Sequence, residues 1–214
     1  MLFIKSNPLS NKYNNSTISK DIPMINQLTY RLLPHLPPPP TELVEQINFE
    51  LRPEVNDIGA MGNRQLIGWN GNYTGSATRN IRRQFNKEYL EWVAKNITTN
   101  FQNASLMYCW GDPSRPSTGA HTDFTRDYVL MYNLSVGGPN ATLTFWREKG
   151  QELVRDRGYE VGEFNRLEFI DSVKGPADVW YLANARILHS TEDVDSLRLN
   201  LQVSFDTTVP EEIL

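Results

Sequence analysis

Leu197-Arg198-Leu199-Asn200-Leu201-Gln202-Val203-Ser204-Phe205 alternates without a break between apolar and polar side chains. A period of two is the mark of a β-strand. Leu197, Leu199, Leu201, Val203 and Phe205 share one face, and Arg198, Asn200, Gln202 and Ser204 share the other. In an open sheet the polar face meets water. In a sheet closed over a second layer the sides reverse, so that the apolar face packs under helices and the polar face, arginine included, lines a ligand cavity. The strand by itself favours the first arrangement, and the residues upstream of it bear on the choice.

Several more short strands precede it. Apolar or alternating runs predict strands over 104–110, 128–136, 142–146, 168–173 and 178–183, with the quoted strand running over 197–206. Gly111-Asp112-Pro113 and Gly137-Gly138-Pro139-Asn140 are turn signals between them, and the charged stretch 147–160 reads as a loop. Before the strands, Tyr89, Trp92, Val93 and Ile97 recur at helical spacing and predict a helix over 86–97. Thr41 followed by Glu42 and Glu45 predicts a shorter helix over 41–50. Short strands after a helical part give a mostly β protein with flanking helices, of the double-stranded β-helix or jelly-roll kind. The predicted organisation is a polar, proline-rich extension over 1–40 and a single domain over 41–214. Within that domain a helical and loop part (41–103) precedes the core (104–206). Pro34-His35-Leu36-Pro37-Pro38-Pro39-Pro40 reads as a stiff extended spacer, or else as a ligand for a proline-binding module.

Composition bounds the function. The 214 residues hold 39% hydrophobic and 21% charged side chains, which excludes a fully disordered chain. A net charge of −4 argues against a general nucleic-acid binder, and no run of about 20 apolar residues is present to span a bilayer. Cys109 is the single cysteine, so no intrachain disulfide can form and a reducing, cytoplasmic setting is expected.

The chemistry-bearing residues lie between the strands. His121-Thr122-Asp123 places an imidazole and a carboxylate two positions apart, on one side of an extended backbone. His189 follows the strand over 178–183, and Arg198 stands on the polar face of the last strand. Two imidazoles and one carboxylate on one side of a metal leave adjacent positions open, the facial arrangement of non-haem Fe(II) oxygenases. No thiolate cluster exists for a structural zinc site. An arginine on the polar face beside such a centre favours the cavity-lining orientation of that face.

His121-x-Asp123, His189 and Arg198 together resemble the 2-oxoglutarate- and Fe(II)-dependent oxygenases of the double-stranded β-helix fold. Three stretches resemble the prolyl-hydroxylase-like branch: Tyr108-Cys109-Trp110-Gly111-Asp112; Tyr132-Asn133-Leu134 with Gly137-Gly138 and Leu143-Thr144-Phe145; and Lys174-Gly175 through Asp178-Val179-Trp180-Tyr181-Leu182. The resemblance covers about 104–206. It implies that His121, Asp123 and His189 bind Fe(II) and that Arg198 pairs with the distal carboxylate of 2-oxoglutarate. A planar guanidinium suits that task through two parallel charge-assisted bonds. Tyr108 is a further candidate for the same carboxylate. Asn200 stands where many members carry Ser or Thr, and its amide can still donate. The implied reaction converts 2-oxoglutarate and O2 to succinate and CO2 while a C–H bond of the substrate is hydroxylated.

For the substrate, the candidates are Arg64, Trp69, Asn70 and Tyr73 in the Gly/Asn-rich stretch, with Arg126 and Arg147 nearer the core. Arg79, Arg82, Arg83 and Lys87 form a basic patch read as a solvated helix start, or else as a site for an anionic substrate. The expected substrate is an amino-acid side chain, as a small molecule or within a peptide. An oxygenase acting on a nucleic-acid base and a non-catalytic jelly-roll binding module are the competing readings.

Overall fold

The computed structural model describes residues 28–45, 79–84, 87–110 and 119–214. Among the described residues the first elements are β1 (Tyr30–Leu33), β2 (Arg79–Gln84) and α1 (Lys87–Asn96). Then come β3 (Asn103–Trp110), β4 (Ala120–His121), β5 (Tyr128–Val136), β6 (Thr142–Glu148) and β7 (Glu160–Val161). β8 (Leu167–Val173), β9 (Trp180–Asn184), β10 (Leu188–Glu192) and β11 (Leu197–Phe205) complete the set. They form a six-stranded sheet in the order β1-β9-β5-β11-β3-β2 and a five-stranded sheet in the order β7-β4-β10-β6-β8. From β3 to β6 successive strands alternate between the two sheets, and from β8 to β11 they alternate again. That winding is a jelly roll. The expected fold class is the one observed.

The orientation of β11 is the reverse of what the strand alone favours. Leu199, Leu201, Val203 and Phe205 pack with Tyr89 and Val93 of α1, with Ile97 just after it and with Trp180 and Leu182 of β9 in one buried cluster on the outside of the six-stranded sheet. A second cluster fills the space between the sheets. It draws Val129, Met131, Tyr181 and Ala183 from one sheet and Leu143, Phe145, Val173 and Ile187 from the other side. Asn200, Gln202 and Ser204 pair in register with Asn133, Met131 and Val129 and therefore share this inner face. All three are buried. A polar stripe thus runs down an otherwise apolar lumen.

Five strands fall where the sequence predicted none, the two-residue β4 and β7 among them. β1 lies inside the stretch set apart as an extension and pairs with β9 at the sheet edge. Leu36 N–H closes a turn onto the Leu33 carbonyl at 3.2 Å, Leu33, Leu36 and Pro39 are buried, and the Pro37 carbonyl accepts a 2.8 Å bond from Trp180 Nε1. The proline run is therefore laid along the outside of the sheet. β2 occupies the basic stretch and pairs with β3 as an edge strand, where a helix start was expected. β10 reads Leu-His-Ser-Thr-Glu, with too little apolar alternation to announce a strand. A helical turn spans 41–45, and the remainder of the expected 41–50 helix lies outside the described residues.

Candidate metal centre

β4 and β10 pair antiparallel with His189 opposite His121, which sets the two imidazoles side by side with ring centroids 4.8 Å apart. Asp123 follows in the loop after β4. Its backbone is tied down by Asp123 N–H to the Ala185 carbonyl at 3.0 Å and by Gly158 N–H to the Asp123 carbonyl at 3.1 Å. Thr122 pins the same loop through its hydroxyl, which donates to the Asp156 carbonyl at 2.6 Å. The outcome is a convergent set. Asp123 Oδ1 lies 3.8 Å from Nε2 of His121 and 3.8 Å from Nε2 of His189, and the three ligand atoms all fall within 4.8 Å of one another.

The imidazoles are prepared for a cation. His121 Nδ1 bonds the Gly119 carbonyl at 3.1 Å, and His189 Nδ1 bonds the Ile187 carbonyl at 2.9 Å. A carbonyl can only accept, so both rings carry their proton on Nδ1 and turn the Nε2 lone pair toward Asp123. Burial, with His121 as its neighbour, pushes the His189 pKa down to about 4, which leaves the ring neutral at pH 7. Two imidazoles and one carboxylate fit a divalent metal of intermediate hardness with positions to spare.

Arg198 lies elsewhere in the same lumen. It is 2% exposed. Nη2 donates to the Tyr181 hydroxyl at 3.1 Å and Nη1 to the Thr142 carbonyl at 3.4 Å, across the gap between the sheets. Nε is buried without a partner. Among the described residues no carboxylate pairs with this guanidinium. Thr142 is three positions along β6 from Phe145, the register partner of His189. The backbone offset between metal centre and guanidinium is therefore about 10 Å at roughly 3.3 Å per residue. Asn200 Nδ2 is a second buried donor without a partner, its Oδ1 accepting from Gln202 Nε2 at 2.9 Å.

The other candidates disperse. Tyr108 stands on β3 in register with Leu199, and the hydroxyl observed at the Arg198 guanidinium is that of Tyr181. Tyr181 carried no separate signal in its apolar run, though strand alternation from Trp180 would have turned it inward. Arg147 is engaged by Glu168, its cross-strand partner on β8, with Nε to Oε1 at 2.6 Å. Arg126 is buried and bonded to Asp123. Arg64, Trp69, Asn70 and Tyr73 lie outside the described residues. No helix among the described residues is long and apolar enough to cross a membrane.

No protein-family profile matches the sequence, and no curated protein matches it. Solved structures do. A prolyl-4-hydroxylase from Pseudomonas putida is 11% identical, with 87% of this chain and 96% of that one covered and a TM-score of 0.46. SnoK, a non-haem α-ketoglutarate-dependent carbocyclase from nogalamycin biosynthesis, is 13% identical over 82% of this chain and 78% of its own, with a TM-score of 0.49. A Trichoplax adhaerens prolyl hydroxylase, solved with a peptide fragment of hypoxia-inducible factor, is 11% identical over 86% of each chain, with a TM-score of 0.45. The chain is thus similar in structure to prolyl-4-hydroxylases and to non-haem 2-oxoglutarate-dependent enzymes.

Proposed function

We propose that this chain is an Fe(II)- and 2-oxoglutarate-dependent dioxygenase that hydroxylates an amino-acid side chain, free or within a peptide. The observation that carries the reading is one lumen holding both a convergent His-Asp-His set and a buried guanidinium that pairs with no carboxylate among the described residues. A buried cation without a carboxylate is costly unless a ligand supplies one. A guanidinium in the same lumen, three positions along β6 from the register partner of His189, suits a ligand with two different ends, one chelating at the metal and one carboxylate at Arg198. The amino-acid assignment draws on the resemblance of Tyr132-Asn133-Leu134, the Gly137-Gly138 turn and Leu143-Thr144-Phe145 to the prolyl-hydroxylase-like branch.

His121, His189 and Asp123 would hold the iron, which supplies the dioxygen chemistry that no side chain can. The chain's own share is binding, orientation and exclusion of water. Gly119 and Ile187 carbonyls fix the two rings. Arg198 and Tyr181 bind the distal carboxylate, and Asn200 Nδ2 offers one more donor nearby. Phe145, 6.3 Å from the His189 ring, and Met131 help to keep the lumen dry. The His121 side chain is the most exposed of the triad at 29%, so substrate enters on that side.

Anaerobic titration with Fe(II) and 2-oxoglutarate should develop the weak visible charge-transfer absorption of the chelate. A panel of free amino acids and peptides, scored by succinate release, then identifies the substrate. If His121→Ala or Asp123→Ala keeps the absorption and the succinate unchanged, the assignment is wrong.

A further inference from the structure

Resting on the metal reading above, we infer that Arg126 is a positioning residue that restricts Asp123 to a single ligating oxygen. Asp123 has two carboxylate oxygens with different surroundings. Oδ1 faces both histidine Nε2 atoms at 3.8 Å. Oδ2 accepts from Nε–H of Arg126, three residues later. The guanidinium is itself anchored from another element: Nη1 donates to Gln202 Oε1 at 2.8 Å and to Ser204 Oγ at 3.0 Å, both on β11. Arg126 is 3% exposed, so no water competes for these bonds. Loop and strand together hold the fork still, and a carboxylate bonded to it cannot swing its second oxygen round to the metal.

Two consequences follow for a facial site. A carboxylate ligating through both oxygens would close one of the open positions that a chelating ligand needs. Charge points the same way. A cation beside a cation site is unfavourable by itself, but Arg126 and Asp123 sum to zero. A bound dication then keeps its full charge for an anionic ligand. The same arginine that lowers the site's raw attraction for metal thus preserves its coordination number.

Co(II) tests this without turnover, because its d–d absorption reports coordination. Arg126→Lys is the decisive variant: it keeps the charge and loses the fork, so it isolates geometry. The expected result is an altered Co(II) spectrum with about tenfold or weaker binding, within the range for losing an outer partner of a metal ligand. In Arg126→Leu the lost cation favours metal while the lost positioning opposes it, so the spectrum is the readout and should shift further from the parent. A purely structural role for Arg126 predicts lower melting temperatures with the parent's spectrum and affinity, and that pattern in Arg126→Lys overturns the inference. If the parent protein takes up no Co(II), or His121→Ala takes it up equally well, the metal reading fails and the inference with it. Parent binding with unaltered variants defeats the positioning role alone.

Discussion

Replacing Arg198 with methionine should move stability and ligand binding in opposite directions. The guanidinium is 2% exposed and makes only two bonds to neutral groups, at 3.1 Å to Tyr181 and 3.4 Å to the Thr142 carbonyl, with Nε unpartnered. Those bonds contribute about 1 kcal/mol each, and freeing the buried Tyr181 hydroxyl costs about 1–3 kcal/mol more. Against this stands the desolvation of a buried cation, several kcal/mol, which methionine of similar length abolishes. The ligand-free Arg198→Met protein should therefore be as stable as the parent or up to about 2 kcal/mol more stable. Binding of 2-oxoglutarate goes the other way. Two charge-assisted bonds at about 1.5–3 kcal/mol each amount to about 3–6 kcal/mol, a loss of roughly 10²- to 10⁴-fold in affinity. Urea denaturation of the metal-free protein measures the first quantity, and calorimetric titration of 2-oxoglutarate into the Co(II) protein measures the second. A variant that loses more than about 1 kcal/mol of stability while binding 2-oxoglutarate normally would mean that Arg198 is a structural residue, and the cosubstrate reading would go.

Gly137 adopts φ +89°, and a Cβ there would come within 2.7 Å of Arg198 Cβ. Gly137→Ala should cost about 1–3 kcal/mol in denaturation and weaken 2-oxoglutarate binding by displacing the Arg198 side chain. Leu201 is fully buried on the opposite face of β11, so Leu201→Ala should cost about 2–5 kcal/mol and leave the Co(II) spectrum of the folded fraction unchanged. Glu148 is held below the ordinary carboxylate range first by the Tyr159 hydroxyl, 2.6 Å away, and then by Arg166 and Arg155. Its folded pKa lies below its unfolded one, so its contribution is present above about pH 4.5 and is lost as pH falls through the folded value. Glu148→Gln should flatten that acid limb in pH-dependent melting curves.

The fold was legible where a strand uses one face for packing and the other for something else. β11 shows this: an uninterrupted apolar row announced the strand, and the structure turns that row under α1. The His-Asp-His set was legible because imidazole is scarce, three in the chain, and its chemistry is specific. β10 stayed hidden for the opposite reason. Its inward position carries His189 rather than an aliphatic side chain, and its outward Ser190 accepts a 2.7 Å bond from Trp146 Nε1, so neither face shows a hydrophobic period. β1 and β2 are edge strands whose place depends on a neighbour already being there, β9 in one case and β3 in the other. Pairing of that kind lies in tertiary contact and not in local pattern. Arg126 illustrates the limit for the site. As a charge near the core it resembled a substrate contact, and only the geometry shows it committed to Asp123.

The polar stripe on β11 links these observations. Arg126 donates to Gln202 Oε1, which fixes the orientation of that amide and leaves its Nε2 to donate to Asn200 Oδ1. Asn200 is thereby left with its donor free, two residues from a guanidinium that also has a free donor. Every orientation in the chain follows from the first, because a guanidinium can only donate. The order of residues thus converts the ion pair at Asp123 into a row of donors turned toward the middle of the lumen. Folding alone gains nothing from buried donors left open, and each one costs stability. An anionic ligand of the kind proposed above would satisfy both open donors, and a jelly roll that bound nothing there would keep their cost.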